Sequence, residues 1–90
     1  MVTLQEVKQY LRIDFEEEDP LLLSLLATAK QQVMSVGRMD EAQLSEHEDT
    51  TRTAILYAVS YLYENRNTAE FSKLNLSLRS LLFAQREGVV

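Results

Sequence analysis

The sequence predicts an all-α fold, a small four-helix domain with two longer and two shorter helices. Apolar residues recur at intervals of three, four and seven positions, which places them on one face of a helix. The β-branched residues are scattered rather than alternating with polar ones, so no strand is predicted. The 90 residues include two glycines, one proline and no cysteine. We therefore expect a single domain over residues 1–90, without disulfides and suited to a reducing compartment.

A capping box predicts the start of the first helix, which we place over residues 4–12. Thr3 and Glu6 have the S/T-x-x-E spacing in which each side chain accepts a hydrogen bond from the backbone N–H of the other residue. The residues of this segment that we expect in the core are Leu4, Val7, Leu11 and Ile13.

The second helix is predicted over residues 20–36. Asp19 is the expected N-cap, and Pro20 suits the first helical position, where its missing N–H costs nothing. Gly37 is expected just beyond the last helical residue, because glycine readily adopts the left-handed conformation that ends many helices. The expected core residues are Leu22, Leu26, Ala29 and Val33.

Leucines crowd the start of this second helix beyond a single face. The additional ones are Leu21, Leu23 and Leu25. The helix is either the centre of the domain's own core, or it is covered by that core on one side and by a partner on the other. We take Leu21 and Leu25 as candidate interface residues.

A polar, acidic connector over residues 38–50 precedes the third helix, which we predict over residues 51–65. Ser45 and Glu48 have capping-box spacing, so the connector is expected to hold a turn of helix. The fourth helix is predicted over residues 77–85, followed by a frayed, flexible C-terminal tail. The expected core residues of these two helices are Ile55, Ala58, Val59, Leu62, Leu78 and Leu81, and Leu82 is also expected to face inward.

Tyr57, Tyr61 and Glu64 share a flanking face of the third helix at successive helical spacings. Tyrosine combines an apolar ring with a polar tip, which suits a protein interface, although tyrosines also flank many ordinary cores. Arg66 follows this helix and has two possible roles: it pairs with a carboxylate in the acidic linker or on a neighbouring subunit, or it interacts with the helix dipole. These four residues complete the candidate interface.

The charge of the chain is unevenly distributed. The net charge is −5. Residues 1–65 hold 12 acids and five bases, a balance of −7, whereas residues 66–90 hold four bases and two acids, a balance of +2. An acidic body repels phosphate backbones, so tight binding to nucleic acid is not expected.

The residues required for catalysis or metal binding are not evident. His47 is the only histidine, and no nucleophile has a base partner at a recognisable spacing. The acidic stretch that begins at Asp14 lacks the glycine and the terminal glutamate of a calcium-binding EF-hand loop. We expect no enzyme, no cofactor and no metal. No apolar run reaches the length of a membrane span, so no membrane association is expected.

Three segments carry a resemblance to a known family. They are Leu4-x-x-Val7-Lys8-x-x-Leu11-Arg12-Ile13-Asp14, then Ala54-Ile55-Leu56 leading to Tyr63-Glu64-Asn65-Arg66, and Leu78-Arg79-Ser80-Leu81-Leu82. In order and spacing they resemble the small helical head–tail connector proteins of tailed bacteriophages and prophages, also described as DNA-packaging adaptor or head-completion proteins. One departure is visible: the family often has a proline before the last helix, where this chain has Leu74-Asn75-Leu76.

The resemblance implies a structural subunit of the virion. Family members form a homo-oligomeric ring of about a dozen copies below the portal protein, where side-to-side contacts between identical subunits close the ring. Such a ring extends the DNA channel, joins the capsid to a tail-proximal head-completion protein, and lets DNA pass without specific binding. Assembly would occur in the host cytoplasm, and the final location would be the head–tail junction of the virion.

In such a ring, we expect acids to line the DNA channel. The candidates are Glu16, Glu17, Glu18 and Asp19, with the loop acids Asp40, Glu41, Glu46, Glu48 and Asp49 as the other acidic segment. The alternative function is a small acidic helical regulator, or a protein-interaction module that acts on a single partner protein.

Overall fold

The computed structural model describes residues 2–65 and 71–87, with the backbone alone described for residues 71, 72 and 83–87. Its helices are α1 (Leu4–Leu11), α2 (Asp19–Gly37), α3 (Glu41–Glu46), α4 (Glu48–Glu64) and α5 (Phe71–Glu87). No strand occurs in these residues. The all-α prediction is confirmed, with two differences: a short additional helix, α3, and a last helix as long as α4.

The capping box at the start of α1 is confirmed. The Glu6 backbone N–H donates to Oγ1 of Thr3 over 3.2 Å, and the Thr3 N–H donates to Oε1 of Glu6 over 3.1 Å. The helix ends at Leu11 because Arg12 has a left-handed backbone, with φ of 60°.

The boundaries of α2 differ from the prediction at both ends. The helix begins at Asp19, so Glu18 is the N-cap, and Glu18 makes no side-chain capping hydrogen bond. At the other end Gly37 is still helical, and Arg38 adopts the left-handed conformation with φ of 53°. Gly37 packs closely against two side chains: a β-carbon there would meet Cε at the flexible end of Met39 and lie 3.2 Å from Cδ1 of Leu82.

The predicted connector contains α3, whose capping box is made by other residues than expected. Oδ1 of Asp40 accepts from the Gln43 N–H, and Oε1 of Gln43 accepts from the Asp40 N–H. The predicted pair of Ser45 and Glu48 does not form a box, because Ser45 lies inside α3 and its hydroxyl faces the Glu41 carbonyl. Since α4 begins directly after α3, its start is Glu48 rather than residue 51.

The last helix begins at least six residues before the predicted start at residue 77. Leu74-Asn75-Leu76, which replaces the family's frequent proline, lies inside α5. A proline in this position would remove a helical hydrogen bond and break the helix. The amide of Gln32 on α2 donates to Oδ1 of Asn75 over 2.7 Å, which fixes α5 against α2. Glu87, expected in the frayed tail, is the last residue of α5, and residues 88–90 lie outside the described residues.

The core lies where α2 packs along α4. Both α5 and α1 pack against this pair of helices. The buried apolar residues are Val2, Val7, Ile13, Leu22, Ala29, Val33, Leu44, Ala54, Ile55, Ala58, Val59, Leu62, Leu74, Leu78 and Leu82. Some predicted core residues are only half-buried, namely Leu4, Leu11, Leu26 and Leu81. The core residues that the sequence analysis missed are Val2, Leu44, Ala54 and Leu74.

Candidate interaction surfaces

The predicted interface residues of α2 and α4 are largely covered by the chain itself. Tyr57, Tyr61 and Leu25 are half-buried and pack against the core, and Leu21 is also half-buried. Glu64, at the end of α4, is exposed. Arg66 lies outside the described residues, so its pairing stays a prediction. These residues leave only part of their surface for a partner.

Tyr63, which is not among the candidate interface residues, joins the linker between α1 and α2 to the end of α4. Its hydroxyl donates to Oε1 of Glu18 over 2.5 Å. The spacing of the two residues in the sequence, 45 positions, gave no signal for this contact. It anchors the linker to the helical core.

The candidate channel acids of the linker fall into two pairs. Glu16 and Glu17 are exposed. Glu18 accepts a hydrogen bond from Tyr63. Oδ1 of Asp19 lies 2.8 Å from Nζ of Lys8, and the two groups form an ion pair without hydrogen-bond geometry. The Lys8 side chain is 9% exposed, so this pair is shielded from solvent more than a surface pair. Glu18 and Asp19 therefore hold the linker in place, whereas Glu16 and Glu17 project from it.

The acids around α3 also divide into engaged and exposed groups. Glu41 pairs with Lys30 over 3.0 Å, and Glu48 pairs with Arg52 over 3.3 Å. Arg52 also pairs with Glu6, which ties α4 to α1. Asp40 is occupied as the N-cap of α3. The two remaining exposed acids of this segment are Glu46 and Asp49.

The exposed large apolar side chains of the described residues are not among the candidate interface residues. Three are in the segment from the end of α1 to the start of α2: Tyr10 is 51% exposed, Phe15 47% and Leu23 52%. The fourth is Leu76 on α5, at 63%. Exposed apolar residues in one segment, beside charged ones, are typical of a protein contact surface. The exposure of Leu76 could have been predicted from its position two residues after Leu74, because residues two apart in a helix lie on different faces.

Two further findings concern other kinds of site. In the described part of the chain, no group of three or more His, Asp or Glu side chains is arranged to hold a metal ion. None of the described helices combines the length and apolar character needed to cross a bilayer.

The described residues form a small all-helical fold with a buried apolar core and with apolar and charged side chains on its surface. Comparison with known families identifies the family: the model for phage gp6-like head-tail connector protein matches residues 1–85. The chain belongs to this family, and its role is that of a structural component of the phage head–tail junction. No curated protein and no solved structure matches the chain significantly.

Proposed function

We propose that the protein forms a ring of about a dozen copies below the portal, and that this ring extends the DNA channel and joins the capsid to a tail-proximal protein. The observation that carries this proposal is the family match over residues 1–85. Exposed apolar side chains on both α5 and the linker between α1 and α2 support it, because a ring subunit needs two different contact surfaces. Assembly would take place in the host cytoplasm before the tail is attached.

Charge supports a channel wall to which DNA does not adhere. A carboxylate repeated by every subunit of a ring becomes a band of negative charge, which repels phosphate over roughly 8 Å at physiological ionic strength. Glu46 and Asp49 are exposed acids of the α3–α4 segment, and we propose that this segment lines the channel or its mouth. The acids of the α1–α2 linker, Glu16 and Glu17, are the other candidates.

Charge reversal tests the channel. We expect the double variant Glu46→Lys with Asp49→Lys to assemble and to retain DNA in a low-salt binding assay, because lysines would then face the phosphates. Glu16→Lys with Glu17→Lys tests the linker acids in those particles that still assemble. If the Glu46→Lys with Asp49→Lys variant assembles and does not retain DNA, the proposed lining of the channel by the α3–α4 segment is refuted.

Particle size tests the ring against the alternative function. A negative-stain micrograph of the concentrated protein, alone and mixed with the portal protein of the same phage, should show annular particles with a central opening. A regulator or an interaction module with a single partner would give a small dimer or a one-to-one complex instead. Only such small species, in both samples, would overturn the ring.

A further inference from the structure

The exposed side of α5 presents an apolar residue between two cations. Leu76 lies opposite the line of Leu74, Leu78 and Leu82 that α5 buries in the core. Lys73 and Arg79 are exposed and stand three residues before and after Leu76, which places them on neighbouring positions of the same side. The sequence of residues 71–86 contains no acid. We refer to Lys73, Leu76 and Arg79 as the α5 face.

The segment of residues 10–23 has the opposite character. Its three exposed apolar side chains are Tyr10, Phe15 and Leu23. It contains five acids and one base, a balance of −4, and the acids that are exposed are Asp14, Glu16 and Glu17. We refer to residues 10–23 as the acidic corner.

The acidic corner is held in position by the chain's own contacts. Lys8 pairs with Asp19, and Tyr63 donates to Glu18, so the end of the acidic stretch that adjoins α2 is tied to α1 and α4. This end of the corner is therefore ordered before any partner arrives. A surface ordered in advance loses less conformational entropy when it binds.

We propose that the α5 face of one copy binds the acidic corner of the next copy. Each surface exposes at least one large apolar side chain in the single chain, and the two surfaces have opposite charges. Because the two surfaces differ, the contact is heterologous and leaves a free α5 face and a free corner at the ends of every dimer, so that further copies add until a ring closes. The inference rests on the proposed ring and names the contact that builds it.

Cross-linking tests this contact directly, because the chain has no native cysteine. Leu76→Cys protein is mixed with Leu23→Cys protein and treated with a short bismaleimide, both as concentrated protein and bound to the portal. Both residues are exposed, so the substitutions leave the core intact. We expect rapid formation of the mixed dimer, and slower cross-linking of Leu76→Cys with Glu64→Cys, which reports on the end of α4. No mixed dimer in either sample, or a faster product with Glu64→Cys, would overturn the proposal.

Charge exchange supplies the second test. Lys73→Glu with Arg79→Glu, and separately Glu16→Lys with Glu17→Lys, should each weaken self-association by at least about tenfold and change its salt dependence. All four substitutions in one chain should restore association, since opposite charges again face each other. The matched control for the acidic corner, Glu46→Lys with Asp49→Lys, makes the same change in net charge outside both surfaces and should associate as the wild type does.

The outcomes separate this contact from the ring itself. Rings that form on the portal in all of these variants at wild-type strength would overturn the contact and leave the ring standing. Portal complexes that never hold several copies of the wild type would refute the proposed ring instead. Retention of DNA by the wild-type α5 face, abolished in the Lys73→Glu and Arg79→Glu variant without any change in association, would mark that face as a nucleic-acid surface and overturn the contact.

Discussion

Arg38 holds its backbone at φ of 53° and ψ of 50°, where the β-carbon of any residue other than glycine is crowded. We expect Arg38→Gly to raise the free energy of unfolding by about 0.5–1 kcal/mol, because relief of this strain exceeds the greater entropy of glycine in the unfolded chain. Urea denaturation measures the difference. Arg38→Ala removes the same charge but keeps a β-carbon, so an equal gain in that variant would contradict the backbone explanation.

Thr51 shows what a single buried hydroxyl contributes. Its side chain is fully buried, and Oγ1 lies 3.0 Å from the Leu44 carbonyl oxygen and 2.9 Å from that of His47, so it joins the end of α3 to the start of α4. We expect Thr51→Val to lower the free energy of unfolding by about 1–2 kcal/mol, since the buried carbonyl oxygen of Leu44 loses its hydroxyl donor. Thr53→Val is the matched control on the exposed side of α4, where water replaces the hydroxyl. Equal losses in both variants would contradict this assignment.

At the scale of the element, α5 offers the clearest contrast between buried and exposed leucines. Leu74 is fully buried, whereas Leu76, two residues later, is 63% exposed. We expect Leu74→Ala to lower the free energy of unfolding by about 2–5 kcal/mol and Leu76→Ala to change it by less than about 0.5 kcal/mol. Thermal melts of the two variants measure both effects. Similar melting temperatures for the two would contradict the position of α5.

The helices with regular apolar spacing could be predicted from the sequence, and the errors have physical causes. Leu22, Ala29 and Val33 repeat at helical intervals along α2, and all three are buried. Leu74 and Leu76 are spaced as in a strand rather than a helix, so the apolar pattern did not predict the first turns of α5. Arg38, rather than the adjacent Gly37, has the left-handed backbone, because α2 continues one residue further than the glycine signal predicts.

The candidate interface was harder to predict than the fold. Positions 21–26 are leucines except for Ser24, so periodicity alone cannot say which of them the core leaves exposed. The structure leaves Leu23 exposed and covers part of Leu21 and Leu25. Likewise, the run of four acids does not predict that Glu18 bonds to Tyr63 and that Asp19 pairs with Lys8, because these partners are distant in the sequence.

At the scale of the whole molecule, two surfaces of opposite charge and a shared apolar character lie on different elements of one small chain. This arrangement is what a subunit needs to join copies side to side rather than in closed pairs. The acids that are exposed outside these surfaces remain available for the channel.

The mass of the complex with the portal protein of the same phage tests the central claim most directly. Native mass spectrometry counts the copies of this chain bound to each portal. A ring predicts one discrete complex that holds about a dozen copies, because identical side-to-side contacts continue until the circle closes. A complex with a single copy, or the absence of any complex at concentrations that saturate the portal, would contradict it.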